Sequence, residues 1–212
     1  MPTLTLDVFA DIACPWCYVG EAHLGAALAE RPDLEVAWRW HPFQLQPGLP
    51  PEGLPREPFF TDKFGGPEQM AAAFAHVTAA GEAAGLRFDF DRLSGAPNTT
   101  DAHRTVLLGQ EQGLGPETAS ALFEAYFTDG RDVGDRAVLA DVAGAVGVTD
   151  AAEMLASDRL RDAVTASQAD AQRLGVRGVP FVVLGGRLAV SGAQPAAAFV
   201  EAIRTAEAMP DA

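Results

Sequence analysis

The sequence predicts an α/β protein that consists of a βαβ unit, a block of helices, and a C-terminal β-hairpin with a closing helix. Three observations support this fold class. Alternating apolar stretches lie near the N-terminus, and apolar residues recur at helical spacing through the middle of the chain. A continuous apolar run followed by two glycines lies near the C-terminus and is typical of a buried strand that enters a hairpin.

The first unit is a predicted strand that leads directly into a helix. Residues 4–10 alternate as a half-buried strand does, and residues 18–30 are helix formers with apolar residues at helical spacing. Pro15 suits the first helical turn. Between the two elements lie Cys14 and Cys17, the only cysteines of the chain. A CxxC pair between a strand and a helix predicts redox chemistry.

The position of the two cysteines at a helix start predicts a different role for each. Unpaired backbone N–H groups and the helix macrodipole favour a thiolate there. We therefore expect Cys14 to be the exposed nucleophile and Cys17 the more buried resolving thiol. A zinc site is disfavoured, since there is no second CxxC and the four histidines are dispersed. A structural disulfide across so short a loop would remove little chain entropy. Two inert buried cysteines are the other alternative.

The middle of the chain is predicted to be a strand, a loop and then helices. Val36, Trp38 and Trp40 alternate with smaller or polar residues and predict a strand over 35–40. The proline-rich segment 41–58 predicts a surface loop. The first predicted helix spans residues 67–84, and the second runs to residue 112 with Asn98 or Thr99 as its cap. A third helix begins at residue 115, and a fourth is capped by Asp135 and ends before residue 147. A short helix follows with an Asp150–Glu153 capping box, and the last one is capped by Ser157 and ends at residue 175.

The C-terminal part returns to strands. Residues 180–184 form a continuous apolar run, as expected of a buried strand, and Gly185-Gly186 predicts a tight turn into residues 187–191. Pro195 begins the closing helix. The resulting order is that of a thioredoxin fold with an all-helical insertion. We expect residues 1–58 and 157–212 to form the thioredoxin-like domain and residues 59–156 the inserted domain.

A proline stands at the first residue of the predicted buried strand, the position where a missing N–H is tolerated. In a thioredoxin-like fold we expect the Val179-Pro180 bond to be cis and to pack beside the CxxC pair. The backbone of Val179 would then be free to pair with an extended substrate segment. A trans proline that simply begins a strand is the alternative.

Composition narrows the classes of partner. The net charge of −14 and pI near 4.5 argue against binding to nucleic acid or to anionic membrane surfaces. No signal-peptide pattern and no apolar stretch of about 18 residues is visible. We therefore expect a cytoplasmic protein, and in that compartment a lone CxxC is more often catalytic than structural.

Four separated stretches resemble the DsbA family, and the closest branch is that of the cytoplasmic FrnE-like oxidoreductases. They are residues 9–20 around Cys-Pro-Trp-Cys, residues 97–104 (Pro-Asn-Thr-Thr-Asp-Ala-His-Arg), residues 177–181 around Val-Pro, and residues 190–195. The resemblance covers essentially the whole chain. It implies a thioredoxin fold with an inserted helical domain, and dithiol–disulfide exchange on a protein substrate.

The resemblance also implies a set of site residues. The candidates for substrate binding are Pro15, Trp16, Val179 and Pro180, together with Asn98, Thr99, His103 and Arg104 as a polar cluster facing the cleft. Trp16 could equally cover the active-site surface, and the polar cluster could equally be a helix cap with exposed neighbours. Other branches of the superfamily have an acidic residue six positions before the nucleophile, where this chain has Val8. Asp11 is therefore our candidate for proton transfer, with a residue that merely ends the strand as the alternative.

The sequence thus predicts a thiol–disulfide oxidoreductase that acts on protein or peptide partners without a bound cofactor or metal, as a monomer or homodimer. Glutathione is a candidate co-substrate. One alternative is a glutathione-dependent isomerase or transferase acting on a small aromatic substrate. The 2-hydroxychromene-2-carboxylate isomerases and kappa-class glutathione transferases belong to the same family, but they typically have serine at the position of Cys14. The other alternative is a non-catalytic, chaperone-like binding module.

Overall fold

A computed structural model describes residues 3–210 of the chain. Its elements in chain order are β1 (Thr3–Ala10), α1 (Pro15–Ala29), β2 (Glu35–Pro42), β3 (Leu54–Pro55), α2 (Arg56–Phe64), α3 (Pro67–Ala83), β4 (Gly95–Ala96), α4 (Thr100–Glu111), α5 (Gly115–Phe127), α6 (Arg136–Ala145), α7 (Ala151–Ala156), α8 (Arg161–Arg173), β5 (Phe181–Leu184), β6 (Leu188–Ser191) and α9 (Ala196–Ala208). A 3-10 turn precedes β4. No helix within residues 3–210 is both long and apolar enough to cross a membrane.

The main sheet has the strand order β2-β1-β5-β6. β1 runs parallel to β2 and antiparallel to β5, and β5 and β6 form an antiparallel hairpin. Gly185 and Gly186 turn this hairpin with φ values of 59° and 69°, a conformation that glycine adopts without steric cost. The sheet and its flanking helices form a thioredoxin fold with a helical insertion, so the predicted fold class is confirmed.

Alternation along β1 divides its side chains between two buried clusters. Leu6 and Val8 belong to the main core, which also contains side chains of α1, α5 and α9. Phe9 faces the other side of the sheet, where Ala171 and Val176 at the end of α8 cover it. Both faces of the strand are thus buried, and the residues that follow it are held at one fixed position at the edge of the core.

The helical insertion is joined to α1 by aromatic contacts. The ring of Tyr18 stacks on Phe123 at 5.4 Å and on Phe127 at 6.1 Å, and meets Phe88 edge-on at 5.6 Å. The main core cluster therefore continues from the sheet into the insertion. The proposed domain boundaries near residues 58 and 156 stay a prediction.

The predicted loop over 41–58 is wrong at both of its ends. β2 extends to Pro42, and α2 begins at Arg56, directly after a short strand. That strand, Leu54–Pro55, pairs antiparallel with Gly95–Ala96. The partner lies far along the chain, so local sequence carries no signal for this pairing.

The predicted helix caps are partly correct. Asp135 caps α6, since its Oδ1 accepts a hydrogen bond from Ala137 N at 2.7 Å. Asp150 precedes α7 in a left-handed conformation, and its side chain makes no capping bond, so the predicted capping box is wrong. Ser157 does not cap α8, which begins at Arg161; its hydroxyl instead donates to Met154 O at 2.8 Å.

Candidate active site

The two cysteines lie where β1 passes into α1. Cys14 is the N-cap residue of the helix, with extended φ and ψ of −100° and 109°, and Pro15 opens the first turn. The backbone N–H of Cys14 donates to Asp11 O at 3.0 Å, and that of Cys17 donates to Cys14 O at 3.0 Å. Both cysteines are free thiols, set one helical turn apart. We refer to residues 12–17 as the reactive turn.

Both thiols are buried, with Cys14 3% and Cys17 2% exposed. The expectation of an exposed Cys14 is therefore wrong: its Sγ lies 3.8 Å from the carbonyl oxygen of Val179, which packs over it. Burial raises the pKa of Cys17 well above its ordinary value, and the adjacent Cys14 and the negative charge of Asp11 act in the same direction. Cys17 is thus a protonated thiol at neutral pH.

The proline loop lies directly against the reactive turn. The Val179–Pro180 peptide bond is cis, as predicted. Pro180 is buried and Val179 is half-buried. A Cβ atom added to Gly20 would come within 2.9 Å of Pro180 Cγ, so a glycine is needed for α1 to approach the loop this closely. Gly20 lies within the stretch 9–20 that carries the family resemblance, but no role was predicted for it.

Asp11 is buried beneath the reactive turn and is surrounded by hydrogen-bond donors. Its Oδ2 accepts from Leu45 N at 2.8 Å and its Oδ1 from Ala13 N at 3.3 Å. The Nε2 atom of His103 lies 3.4 Å from Oδ1. Burial by itself would raise the pKa of Asp11, but these donors outweigh it and hold the pKa below its ordinary value. An ionised carboxylate of this kind is a weak proton acceptor, so its contacts favour an anchoring role over proton transfer.

His103 and Arg104 do not face the cleft, because both side chains are fully buried. The expectation that they contact substrate is therefore wrong. Nδ1 of His103 accepts a hydrogen bond from Trp40 Nε1 at 3.2 Å. Tertiary packing of α4 between β2 and the other helices of the insertion accounts for their burial, and the sequence pattern around them carries no signal for it.

Arg104 joins α4 to the segment that connects α7 to α8. Its Nε donates to Arg159 O at 2.7 Å and its Nη1 to Asp101 Oδ1 at 2.6 Å. Its Nη2 donates to the carbonyl oxygens of Met154 at 2.7 Å and Ser157 at 2.5 Å. Every nitrogen of the guanidinium group therefore has a partner within the protein, and the side chain is structural.

Asn98 and Thr99 lie at the start of α4. The N-cap residue of α4 is Thr99, whose side chain makes no capping bond. Asn98, one residue earlier, accepts at Oδ1 from Thr100 N at 3.0 Å and donates from Nδ2 to Leu49 O at 2.7 Å. Both functional atoms of the Asn98 side chain are thus engaged within the protein. Thr99 is 3% exposed and borders a pocket beside the reactive turn.

This pocket is narrow, with a cavity volume of about 20 Å³, and it opens to solvent. Its lining is mostly apolar and includes Ala13, Leu45, Leu49, Phe59 and Lys63. Lys63 is the only lysine of the chain, and its Nζ lies 5.6 Å from the centre of the Phe59 ring. It forms no ion pair within the described part of the chain. Lys63 was not among the predicted site residues, although the sequence shows that it is the only lysine.

Pro15 and Trp16 follow Cys14 in the sequence, and both are half-buried. The Trp16 ring packs against His76 of α3, with ring centroids 5.3 Å apart. Trp16 therefore covers part of the active-site surface. In residues 3–210, no group of three His, Cys, Asp or Glu side chains is placed to hold a metal ion.

Comparisons with known proteins agree with this architecture. Residues 5–204 match the DSBA-like thioredoxin domain family. The chain is similar to a probable DsbA oxidoreductase from Streptomyces coelicolor, with 34% identity and a TM-score of 0.86 over 98% of this chain and 92% of that one. It also resembles the cytosolic disulfide reductase DsbM from Pseudomonas aeruginosa, solved with GSH, at 22% identity and a TM-score of 0.64, covering 96% of each chain. A 2-hydroxychromene-2-carboxylate isomerase matches at 14% identity and a TM-score of 0.63, covering 89% of each chain. The last two likenesses show the fold alone.

Proposed function

The chain belongs to the DSBA-like thioredoxin domain family, and from this premise we propose that it is a thiol–disulfide oxidoreductase acting on protein or peptide partners. One observation carries the proposal: Cys14 caps α1 with its sulfur 3.8 Å from the carbonyl of Val179 in the cis-proline loop, and Cys17 follows one turn later. Within the family we assign the chain to the FrnE-like branch, because residues 97–104 resemble that branch. We propose a cytoplasmic location on the same ground.

The proposed reaction is a two-step exchange. The Cys14 thiolate attacks a substrate disulfide R–S–S–R′, forms the mixed disulfide Cys14–S–S–R and releases R′–S⁻. Cys17 then attacks the Cys14 sulfur, forms the Cys14–Cys17 disulfide and expels R–S⁻, while the proton of Cys17 passes to a released thiolate. Two electrons move from the dithiol to the substrate, and the reverse sequence oxidises a substrate dithiol.

In this proposal the residues around Cys14 bind the substrate backbone. The backbone of the half-buried Val179 would pair with an extended segment, and Pro15 and Trp16 would offer apolar surface beside the sulfur. Thr99 is kept as a candidate because it borders the pocket next to the reactive turn. Asn98, His103 and Arg104 are left out of the substrate site.

Glutathione is the small thiol that we propose as co-substrate. The pocket beside the reactive turn joins apolar surface to Lys63, whose ammonium group can pair with a carboxylate of the tripeptide. The structurally similar DsbM was solved with GSH, which supports the same choice. An isomerase function has weaker support, because the isomerase shares only the fold and the intact Cys14–Cys17 pair favours redox chemistry.

The test is the redox state of the pair in graded glutathione buffers, measured by thiol alkylation and mass spectrometry. We expect a reversible two-electron transition in the folded protein. A midpoint reduction potential of about −270 mV would indicate a reductant, and one of about −120 mV would indicate an oxidant. Cys14→Ser should abolish exchange, whereas the matched variant Cys17→Ser should accumulate mixed disulfides. A wild-type pair that titrates only after unfolding, or a Cys14→Ser protein with full exchange activity, would contradict the proposal.

A further inference from the structure

The first turn of α4 places the imidazole of His103 against the carboxylate of Asp11, which lies beneath the reactive turn. His103 is 0% and Asp11 2% exposed, and 3.4 Å separates His103 Nε2 from Asp11 Oδ1. This separation is slightly longer than a well-formed hydrogen bond. His103 Nε2 has no other polar partner among residues 3–210. The contact between His103 and Asp11 joins α4 to the segment that holds the cysteines, and it has no role in the exchange steps proposed above.

The neighbouring indole determines which nitrogen of His103 carries the proton. Trp40 Nε1 is only a donor, and it lies 3.2 Å from His103 Nδ1. Nδ1 must therefore accept, which leaves the proton on Nε2, the atom that faces Asp11. An imidazolium would set two N–H groups against each other at Nδ1. The N–H group on Nε2 therefore lies on the side of the ring that faces the Asp11 carboxylate, at a separation longer than a well-formed hydrogen bond.

Asp11 is linked to the cysteines through the backbone. Its carbonyl oxygen accepts from Cys14 N at 3.0 Å, while its carboxylate accepts from Leu45 N and Ala13 N. Among residues 3–210, His103 is the only Lys, Arg or His side chain with a nitrogen within 4.0 Å of this carboxylate. A buried carboxylate stays ionised only while such donors compensate for lost hydration.

We propose that His103 is a positioning residue for thiol–disulfide exchange, which keeps Asp11 anionic beneath the reactive turn and so makes the Cys14–Cys17 dithiol a stronger reductant. The inference rests on the proposed function. A fixed negative charge near two buried sulfurs disfavours their thiolates, and thiolates are what stabilise the reduced form of such a pair. The charge of Asp11 is one of the causes that raise the pKa of Cys17, which is consistent with this direction.

A purely structural role for His103 is the competing explanation. The ring packs against Trp40 with centroids 5.8 Å apart, and a phenylalanine could fill the same space. Packing alone would make a His103 variant less stable without changing the equilibrium between dithiol and disulfide. The reduction equilibrium therefore separates the two explanations.

The experiment measures the equilibrium constant for reduction of the Cys14–Cys17 disulfide by two glutathione molecules in the full chain. For Asp11→Asn and His103→Phe we expect this constant to rise about tenfold, which corresponds to a potential about 30 mV higher. His103→Gln, whose amide N–H can replace Nε2–H, should stay within about twofold of the wild type. Leu108→Val is the stability control, since Leu108 is buried on the same helix, is not among the groups that contact Asp11, and should leave the constant unchanged.

The outcomes separate the inference from the function. A wild-type pair that fails to equilibrate with glutathione would overturn the proposed function. A wild-type pair that equilibrates, with folded Asp11→Asn unchanged, would leave the function standing and overturn the inference. A shift in His103→Phe without a shift in Asp11→Asn would also overturn it, because the effect would then not act through the charge. If His103→Phe does not fold, His103→Leu replaces it, because leucine also lacks an N–H group; an unchanged constant in folded His103→Leu would overturn the inference.

Discussion

His103 and Arg104 are adjacent on α4, equally buried and equally expected to meet substrate, yet they belong to two different regions of the molecule. Arg104 lies among carbonyl groups of the segment between α7 and α8, and every nitrogen of its guanidinium group donates there or to Asp101. His103 faces the reactive turn, and its Nε2 has one imperfect partner. A buried polar side chain with all its bonds made holds a structure together. A buried polar side chain that lies beside a charge and makes an incomplete hydrogen bond to it can instead change how that charge acts on neighbouring groups.

The largest expected effect comes from Arg104→Met. The substitution removes one donor from the carbonyl oxygens of Met154, Ser157 and Arg159 and takes a fully buried cation away from Asp101, which costs about 3–5 kcal/mol of unfolding free energy. Urea unfolding measures this loss. The reduction equilibrium of the folded protein should stay at the wild-type value.

The matched control is Arg136→Met, because Arg136 binds the same carboxylate of Asp101 at 2.7 Å from a half-exposed position. A loss of about 0–1 kcal/mol is expected there. If Arg104→Met changed the reduction equilibrium as strongly as Asp11→Asn, the division between the two regions would fail.

A smaller effect is expected from Trp40→Phe, which removes the indole N–H that fixes the tautomer of His103. We expect a loss of about 1–3 kcal/mol in unfolding free energy, from the smaller ring and the unpaired Nδ1. The reduction equilibrium should shift in the same direction as in Asp11→Asn, but less. Trp38→Phe, on the neighbouring stacked ring, should lose stability without this shift. Equal shifts in both variants would show that packing, not the tautomer, is responsible.

The smallest effect concerns acid stability. Burial alone would raise the pKa of Asp101, but Arg104 and Arg136 outweigh it and lower the pKa. The stabilisation from ionised Asp101 is therefore complete above the unfolded-state pKa of about 3.9 and is lost as the pH falls through the lower folded-state value.

Urea midpoints between pH 7 and pH 3 should fall less steeply below about pH 4 in Asp101→Asn than in the wild type, by about 1 kcal/mol or less because the side chain is partly exposed. The reduction equilibrium of Asp101→Asn should not move, in contrast to Asp11→Asn. Parallel acid-stability curves would contradict the assignment.

The sequence alone determined the features that depend on local pattern. The cysteine pair at a strand–helix junction, the glycine hairpin, the Asp135 cap and the proline at the start of β5 all follow from residues a few positions apart. Periodicity and the backbone preferences of glycine and proline act over that range, so they can be read without a structure.

Only the tertiary structure decided what surrounds the cysteines. The burial of Cys14 depends on Val179, 165 positions away, and the tautomer of His103 depends on Trp40, 63 positions away. His103 and Arg104 are adjacent polar residues in the sequence, but their surroundings differ because other elements of the fold place different groups beside each of them. Burial and hydrogen-bond satisfaction are properties of the packed chain, and residues distant in sequence supply both.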